Sequence, residues 1–179
     1  MPQSCITALV RALNRILTSV PHDHPAALPL ALWICDRDDL FEAVPQAWDR
    51  SGVDPTIWRA LSQVIARHAA LSAPSSGFTV REQTTLVGVT ELTAVEEEVL
   101  AFLVACAGCD DLAALVEMLS DGTGLDPVDV QALCIGASAA EVAAVLTGRL
   151  SGTCLIEDGR ASPALLRAAD THRGGQHAV

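Results

Sequence analysis

Residues 4–20 read Ser4-Cys-Ile-Thr-Ala-Leu-Val-Arg-Ala-Leu-Asn-Arg-Ile-Leu-Thr-Ser-Val20, and their apolar side chains repeat with the period of an α-helix. Aliphatic residues three and four positions apart fall along one helical face. They are Ile6, Leu9, Val10, Leu13, Ile16, Leu17 and Val20. Ser4 is suited to cap this helix, and Pro21 lies just past its end. Because an isolated helix of this length is marginal in water, the face must be covered. We expect the helices within 26–71 to cover it, with a second copy of the chain as the alternative.

Capping signals predict further helices along the chain. Asp54-Pro55 and Asp126-Pro127 each place a capping carboxylate before a first-turn proline. Thr93-Ala-Val-Glu96 and Ser138-Ala-Ala-Glu141 are capping boxes. Additional helices are predicted from about Ala26 to 36, over 38–50, over 110–119 and over 162–170.

The predicted fold class is mainly α, a helical bundle followed by a winged-helix-like α segment with one small β-hairpin. The segment Ser72-Ala-Pro-Ser-Ser-Gly77 is the strongest linker signal. It predicts a boundary between a bundle at 1–72 and a winged-helix-like region at 78–170, with a surface loop inside one domain as the alternative. Asp158-Gly159 predicts the hairpin turn. Residues 171–179 are predicted to form a disordered tail.

The charge of the chain restricts its partners. The net charge is -11, and all eleven basic residues are arginine. Such a surface repels a phosphate backbone and an anionic membrane, which argues against both as partners. The absence of lysine excludes a Walker-A loop, a Schiff base and a Ser-Lys dyad. We therefore expect no ATP binding, no cofactor and no enzymatic activity.

Arginines in the first helix also bear on location. Arg11, Asn14 and Arg15 interrupt the apolar stretch at 4–20, so it is typical of neither a signal peptide nor a membrane span. The six cysteines lie in apolar runs, where reduced, buried thiols are expected. We expect a cytoplasmic protein.

Three clusters resemble reactive or metal-binding motifs, and each has a simpler structural explanation. Cys106-Ala-Gly-Cys109 lacks a second ligand pair at zinc-site spacing, so we interpret it as buried thiols at a helix end. His22-Asp23-His24 lies between prolines and is expected to form a solvated turn. Glu96-Glu97-Glu98 suits the first turn of a helix, where the dipole favours acidic residues. No catalytic or metal site is predicted.

A helix-turn-helix is the most structured motif. Ala132, Gly136, Val142 and Val145 have the spacing of its small residue, turn glycine and buried aliphatics, and the hairpin follows where a wing would lie. The second helix, however, offers alanines, Ser138, Glu141 and a threonine rather than side chains that contact base edges. This composition favours packing or protein contact over DNA binding.

Residues from about 78 to 163 resemble the helical, winged-helix-like segment upstream of the ATPase core in some bacterial AAA+ proteins. The resemblance is carried by Leu92-Thr-Ala-Val-Glu-Glu-Glu-Val-Leu100, Ala132-Leu-Cys-Ile-Gly-Ala-Ser-Ala-Ala-Glu-Val142 and Leu150-Ser-Gly-Thr-Cys-Leu155. No nucleotide-binding module follows them in these 179 residues. The resemblance implies a stand-alone or truncated regulatory region without catalytic residues.

The leading hypothesis is a non-enzymatic helical module that binds another protein or a second copy of itself, within a larger ATP-driven or defence-type assembly. The candidate interaction residues are Leu9, Leu13, Ile16, Leu17, Trp33, Trp48 and Trp58. The alternative is a winged-helix transcriptional regulator. It would need Arg149, Arg160 and Arg167 gathered on one DNA-contacting face.

Overall fold

The computed structural model describes residues 3–37, 40–41, 52–72, 91–153 and 155–175, and these residues are mainly helical, as the sequence predicts. A two-stranded antiparallel sheet, β1 (Ile156–Glu157) and β2 (Arg160–Ala161), precedes the last helix. The helices are α1 (Gln3–Ser19), α2 (Ala27–Cys35), α3 (Pro55–Leu71), α4 (Ala94–Gly108), α5 (Asp110–Thr123), α6 (Pro127–Ile135), α7 (Ala139–Thr147), α8 (Arg149–Gly152) and α9 (Pro163–Gly175).

Side-chain caps begin four helices at the residues that the sequence indicates. Asp54 and Asp126 each accept a hydrogen bond from the backbone N–H two residues on, at 2.7 and 2.8 Å. The capping boxes that begin at Thr93 and Ser138 are both fully formed. These bonds satisfy backbone donors that the first turn of a helix leaves unpaired.

Several predicted boundaries are wrong. α1 begins at Gln3, so Ser4 lies in its first turn instead of capping it. α5 continues beyond 119 to Thr123 and ends against Gly124, which has a left-handed φ of 68°. α9 continues to Gly175, so residues 171–175 are helical although the sequence predicts a disordered tail. The helix predicted over 38–50 lies largely outside the described residues, as do 176–179.

α1 lies at the centre of the larger hydrophobic core. It packs on α3 and α6 and also contacts α4 and α5. Leu13 and Ile16 are completely buried, at 0% exposure. The same core includes Leu112 and Leu115 of α5. Helices from both sides of the 72–78 segment thus cover the apolar face of α1, and the division into 1–72 and 78–170 stays a prediction.

A second core joins α4 and α7 to the hairpin and α9. Its fully buried members include Leu100, Val142, Leu150 and Leu165. Phe102 of α4 packs against both cores and so links them.

The hairpin has the turn that the sequence predicts. Asp158 and Gly159 have φ angles of 50° and 73°, the pair of positive values that a type I′ turn requires. Ile156 is paired with Ala161 and Glu157 with Arg160. This register brings Arg160 next to the turn.

Among the described residues, no single helix is long and apolar enough to cross a membrane. Two bent helix pairs, α4 with α5 and α6 with the α7–α8 segment, satisfy the criterion by length and composition alone.

Candidate functional site

α6 and the α7–α8 segment are joined by a sharp turn and bend away from each other by 110°. Gly136 ends α6 with a φ of 76°, which a residue without a Cβ adopts freely. The N–H groups of Gly136 and Ala137 both donate to the carbonyl oxygen of Ala132, at 2.8 and 3.1 Å. A Cβ at position 136 would lie 3.4 Å from Cδ of Arg15 in α1. The turn thus combines backbone hydrogen bonds with close contact to the central helix.

The exposed face of α7 offers few free polar groups. Ala140 and Ala144 are exposed on it. The Glu141 carboxylate turns back to Ser138 and accepts its hydroxyl hydrogen bond at 2.6 Å, which holds the pKa of Glu141 below its usual value. The Thr147 hydroxyl donates to the carbonyl oxygen of Ala143 at 2.8 Å. This face therefore has small side chains and internally satisfied hydrogen bonds.

Arg149, at the start of α8, is held by the N-terminus of α4. Its Nε and Nη2 each lie 2.7 Å from a carboxylate oxygen of Glu96, and Nη2 also donates to the carbonyl oxygen of Glu91. The hydrogen bond from Arg149 lowers the pKa of Glu96 from 4.5 to about 2, against the opposing effect of burial. Glu96 in turn raises the pKa of Arg149. The cation nearest the end of α7 is thus paired with a carboxylate, and its side chain stays 52% exposed.

The three arginines of the DNA-binding alternative do not form one cluster. Arg149 contacts Glu96 at the start of α4. Arg160 borders a pocket whose lining includes four residues farther along α4, namely Phe102, Leu103, Cys106 and Ala107. A helix rises 1.5 Å per residue, so Glu96 and the pocket-lining residues of α4 are about 10–15 Å apart along the helix axis. Arg167 is exposed on α9 and has an interaction of its own.

Six of the seven candidate interaction residues are buried. Leu9, Leu13, Ile16 and Leu17 are at most 4% exposed, since α1 is covered by its neighbouring helices. Trp33 and Trp58 are 7% and 8% exposed. Large apolar side chains gain most from burial, which explains why these residues form core in place of an interface. Trp48 lies outside the described residues.

Three interior thiols lie where α1, α4, α5 and α6 meet. Burial raises the pKa of Cys106 to about 12 and that of Cys109 to about 11, and it also raises the pKa of Cys134. Cys5 of α1 donates from its Sγ to the carbonyl oxygen of Gly108 at 3.1 Å. Among the described residues, no group of three or more His, Cys, Asp or Glu side chains is placed to hold a metal ion. Of the C-x-x-C pair, Cys106 is half-buried in the last turn of α4 and Cys109 is buried just after the helix ends.

The histidine cluster forms a local turn. Nδ1 of His24 accepts a hydrogen bond from the backbone N–H of Ala26 at 3.1 Å. The N–H of His24 itself donates to the carbonyl oxygen of Pro21. These bonds stabilise the connection between α1 and α2.

A pocket of about 620 Å³ lies between α4, α5, α6, the hairpin and the start of α9. Its walls are mainly apolar and include Phe102 and Leu166. Gln131 also lines it, and the Oε1 of this side chain is buried without a hydrogen-bond partner among the described residues. Glu117 and Arg160 bring opposite charges to its lining, from α5 and from the hairpin. Sequence inspection missed this pocket because five elements contribute to it, although a lone glutamine within the apolar run 130–135 was a usable signal.

Comparison with protein-family models, curated proteins and solved structures found no match for this chain.

Proposed function

We propose that this chain is a non-enzymatic regulatory module that binds another protein through the exposed face of α7. The observation that carries the proposal is the pairing of Arg149 with Glu96 and Glu91, which engages the basic side chain closest to the end of α7. What remains on that face is Ala140, Ala144 and the self-bonded Glu141. Small side chains allow a partner helix to approach closely, and few free polar groups need to be desolvated.

Electrostatics supports a protein partner over DNA. The chain has a net charge of -11, and α7 contains neither arginine nor lysine. DNA binding depends on cations that neutralise phosphates, and specificity needs side chains that reach base edges. A protein partner with a basic or apolar surface would not be repelled by the negative charge and would not need side chains that reach base edges.

The resemblance to the region upstream of AAA+ ATPase cores extends the proposal. In this view the module acts by contact within an ATP-driven assembly, while the nucleotide is held by another part of that assembly. The absence of lysine fits this division of labour, because a Walker-A loop requires one.

A DNA titration separates the two functions. Fluorescence anisotropy of a labelled duplex of mixed sequence is measured against the full chain at low and at physiological salt. We expect no salt-dependent binding tighter than about 100 µM, the weak end of ordinary non-specific affinity. A doubly substituted chain, Ala140→Arg with Ala144→Arg, adds two cations to α7 and serves as the matched comparison. Tight, strongly salt-dependent binding by the unsubstituted chain would contradict the proposal.

A further inference from the structure

We propose that the pocket between α4, α5, α6, the hairpin and α9 binds a small amphipathic molecule. This molecule has an apolar body, an N–H or O–H donor and an acidic group. The inference is independent of the protein-binding function above, because the pocket is lined by no residue of α7. Either proposal can fail without the other.

The size and walls of the pocket suit a small organic molecule. Its volume of about 620 Å³ is within the range of small-molecule sites in proteins, on the order of 300–1,000 Å³. Phe102 and Val116 form part of the apolar wall, and Leu166 of α9 completes it from the other side. Ala107, Ala113 and Ala161 leave room between these larger side chains. An apolar body would displace water from all of these surfaces.

Gln131 supplies the reason to expect a donor on the ligand. Its Oε1 is buried and accepts no hydrogen bond from the described residues, although buried polar atoms are nearly always paired. The Gln131 side chain lines the pocket, and its rotation would bring Oε1, which has no accessible surface where it stands, to a donor that enters there.

Arg160 supplies the reason to expect an acid. It is exposed on β2 and borders the pocket, and its guanidinium makes no ion pair or hydrogen bond with the described residues. A guanidinium binds a carboxylate or sulfonate through parallel hydrogen bonds. Glu117 lines the pocket from α5 and would repel the same group, so the acid must lie at the hairpin side.

Two fluorescent probes test this site in the full chain. 8-Anilinonaphthalene-1-sulfonate has an apolar body, an N–H donor and an acid, and N-phenyl-1-naphthylamine is the same molecule without the acid. We expect both to bind with enhanced fluorescence. Arg160→Gln should weaken the affinity for the sulfonate probe by about three- to tenfold at low salt. It should change the affinity for the neutral probe by less than about twofold. Glu117→Gln should tighten the sulfonate probe by about twofold, because it removes a like charge.

Two further variants test the walls and the acceptor. Ala113→Trp places an indole in the pocket and should abolish binding of both probes. Ala66→Trp is the matched control, since Ala66 is also an exposed helical alanine but lies on α3, away from the pocket. Gln131→Met keeps the side-chain length, removes the acceptor and should weaken both probes by about threefold. Melting temperatures establish that each variant is folded.

Two results would overturn the proposal. One is the absence of probe binding to the folded, unsubstituted chain. The other is probe binding that persists in Ala113→Trp and that is neither weakened by Arg160→Gln nor tightened by Glu117→Gln. Such binding would occur outside the pocket.

Discussion

Arg149 and Glu96 face each other across 53 residues of sequence, and two atoms of the guanidinium each lie 2.7 Å from the carboxylate. Glu96 also completes the capping box of α4 by accepting the N–H of Thr93 at 2.8 Å. One side chain therefore begins a helix and anchors α8. The same contact pairs the Arg149 guanidinium with a carboxylate, although the side chain stays 52% exposed, so its charge is less available for the phosphate contact that the DNA-binding alternative needs.

Replacing Arg149 by glutamine should destabilise the chain at neutral pH and reduce its sensitivity to acid. The pKa of Glu96 in the folded chain is about 2, against 4.5 in the absence of its partners. A lowered carboxyl pKa contributes stability that is complete above about 4.5 and is lost as the pH falls towards about 2. Urea unfolding across this range should show that the free energies of unfolding of the variant and of the unsubstituted chain converge at low pH. Arg11→Gln, at an exposed position of α1, is the control. An unchanged difference at all pH values would contradict this origin of the stability.

Shortening Leu13 to alanine should lower the free energy of unfolding by about 2–5 kcal/mol, the usual cost of a cavity in a packed core. Leu13 has 0% exposure at the centre of the larger core. Arg11→Ala, two residues away on the exposed side of α1, should change stability by less than about 0.5 kcal/mol. Denaturant melts measure both. If Leu13→Ala leaves the melting temperature unchanged and instead dissociates an oligomer into folded monomers, α1 is an interface between copies of the chain.

Buried thiols should be protected from alkylation in the native chain. The pKa of Cys106 is raised to about 12 and that of Cys109 to about 11, so little thiolate is present near neutral pH. We expect iodoacetamide to label both residues at least about tenfold more slowly in the folded chain than in urea, where the pKa returns to about 8.5. Mass spectrometry of peptides resolves each cysteine. Equal rates in the two states would contradict the burial of this cluster.

Gly136→Ala should destabilise the helix-turn-helix by about 1–2 kcal/mol, because an L-residue resists the left-handed conformation. The φ of Gly136 is 76°, and a new Cβ would press on Arg15 at 3.4 Å. Gly152→Ala is the matched control, since a Cβ there meets nothing within 4 Å and φ is not in the left-handed range. Thermal melts of both variants decide the point. Equal melting temperatures would mean that the turn adopts another conformation.

Local signals in the sequence predicted much of the fold. The period of α1, the caps at Asp54, Thr93 and Ser138, and the Asp158-Gly159 turn each depend on residues within one or two turns of chain. These are the interactions that sequence spacing encodes directly.

Long-range packing was not predictable in the same way. The contact of Arg149 with Glu96 and the packing of α1 on α6 join residues far apart in the chain. The apolar face of α1 indicated that it needed cover but did not identify the covering helices, which come from both sides of the 72–78 segment. The pocket around Gln131 depends on five elements and left only a lone polar residue as a trace. Buried tryptophans at 33 and 58 could not be told from interface residues by type alone.

The most direct test of the proposed function is site-specific photo-crosslinking in the native cells. A benzoyl-phenylalanine at position 144 samples the exposed face of α7, and the same residue at position 66 samples the exposed side of α3 as the matched control. We predict a discrete adduct at position 144 that protease digests and nuclease leaves intact, with no such adduct at position 66. A nuclease-sensitive adduct at position 144, or the same adducts at both positions, would contradict the proposal that α7 is a protein-binding surface.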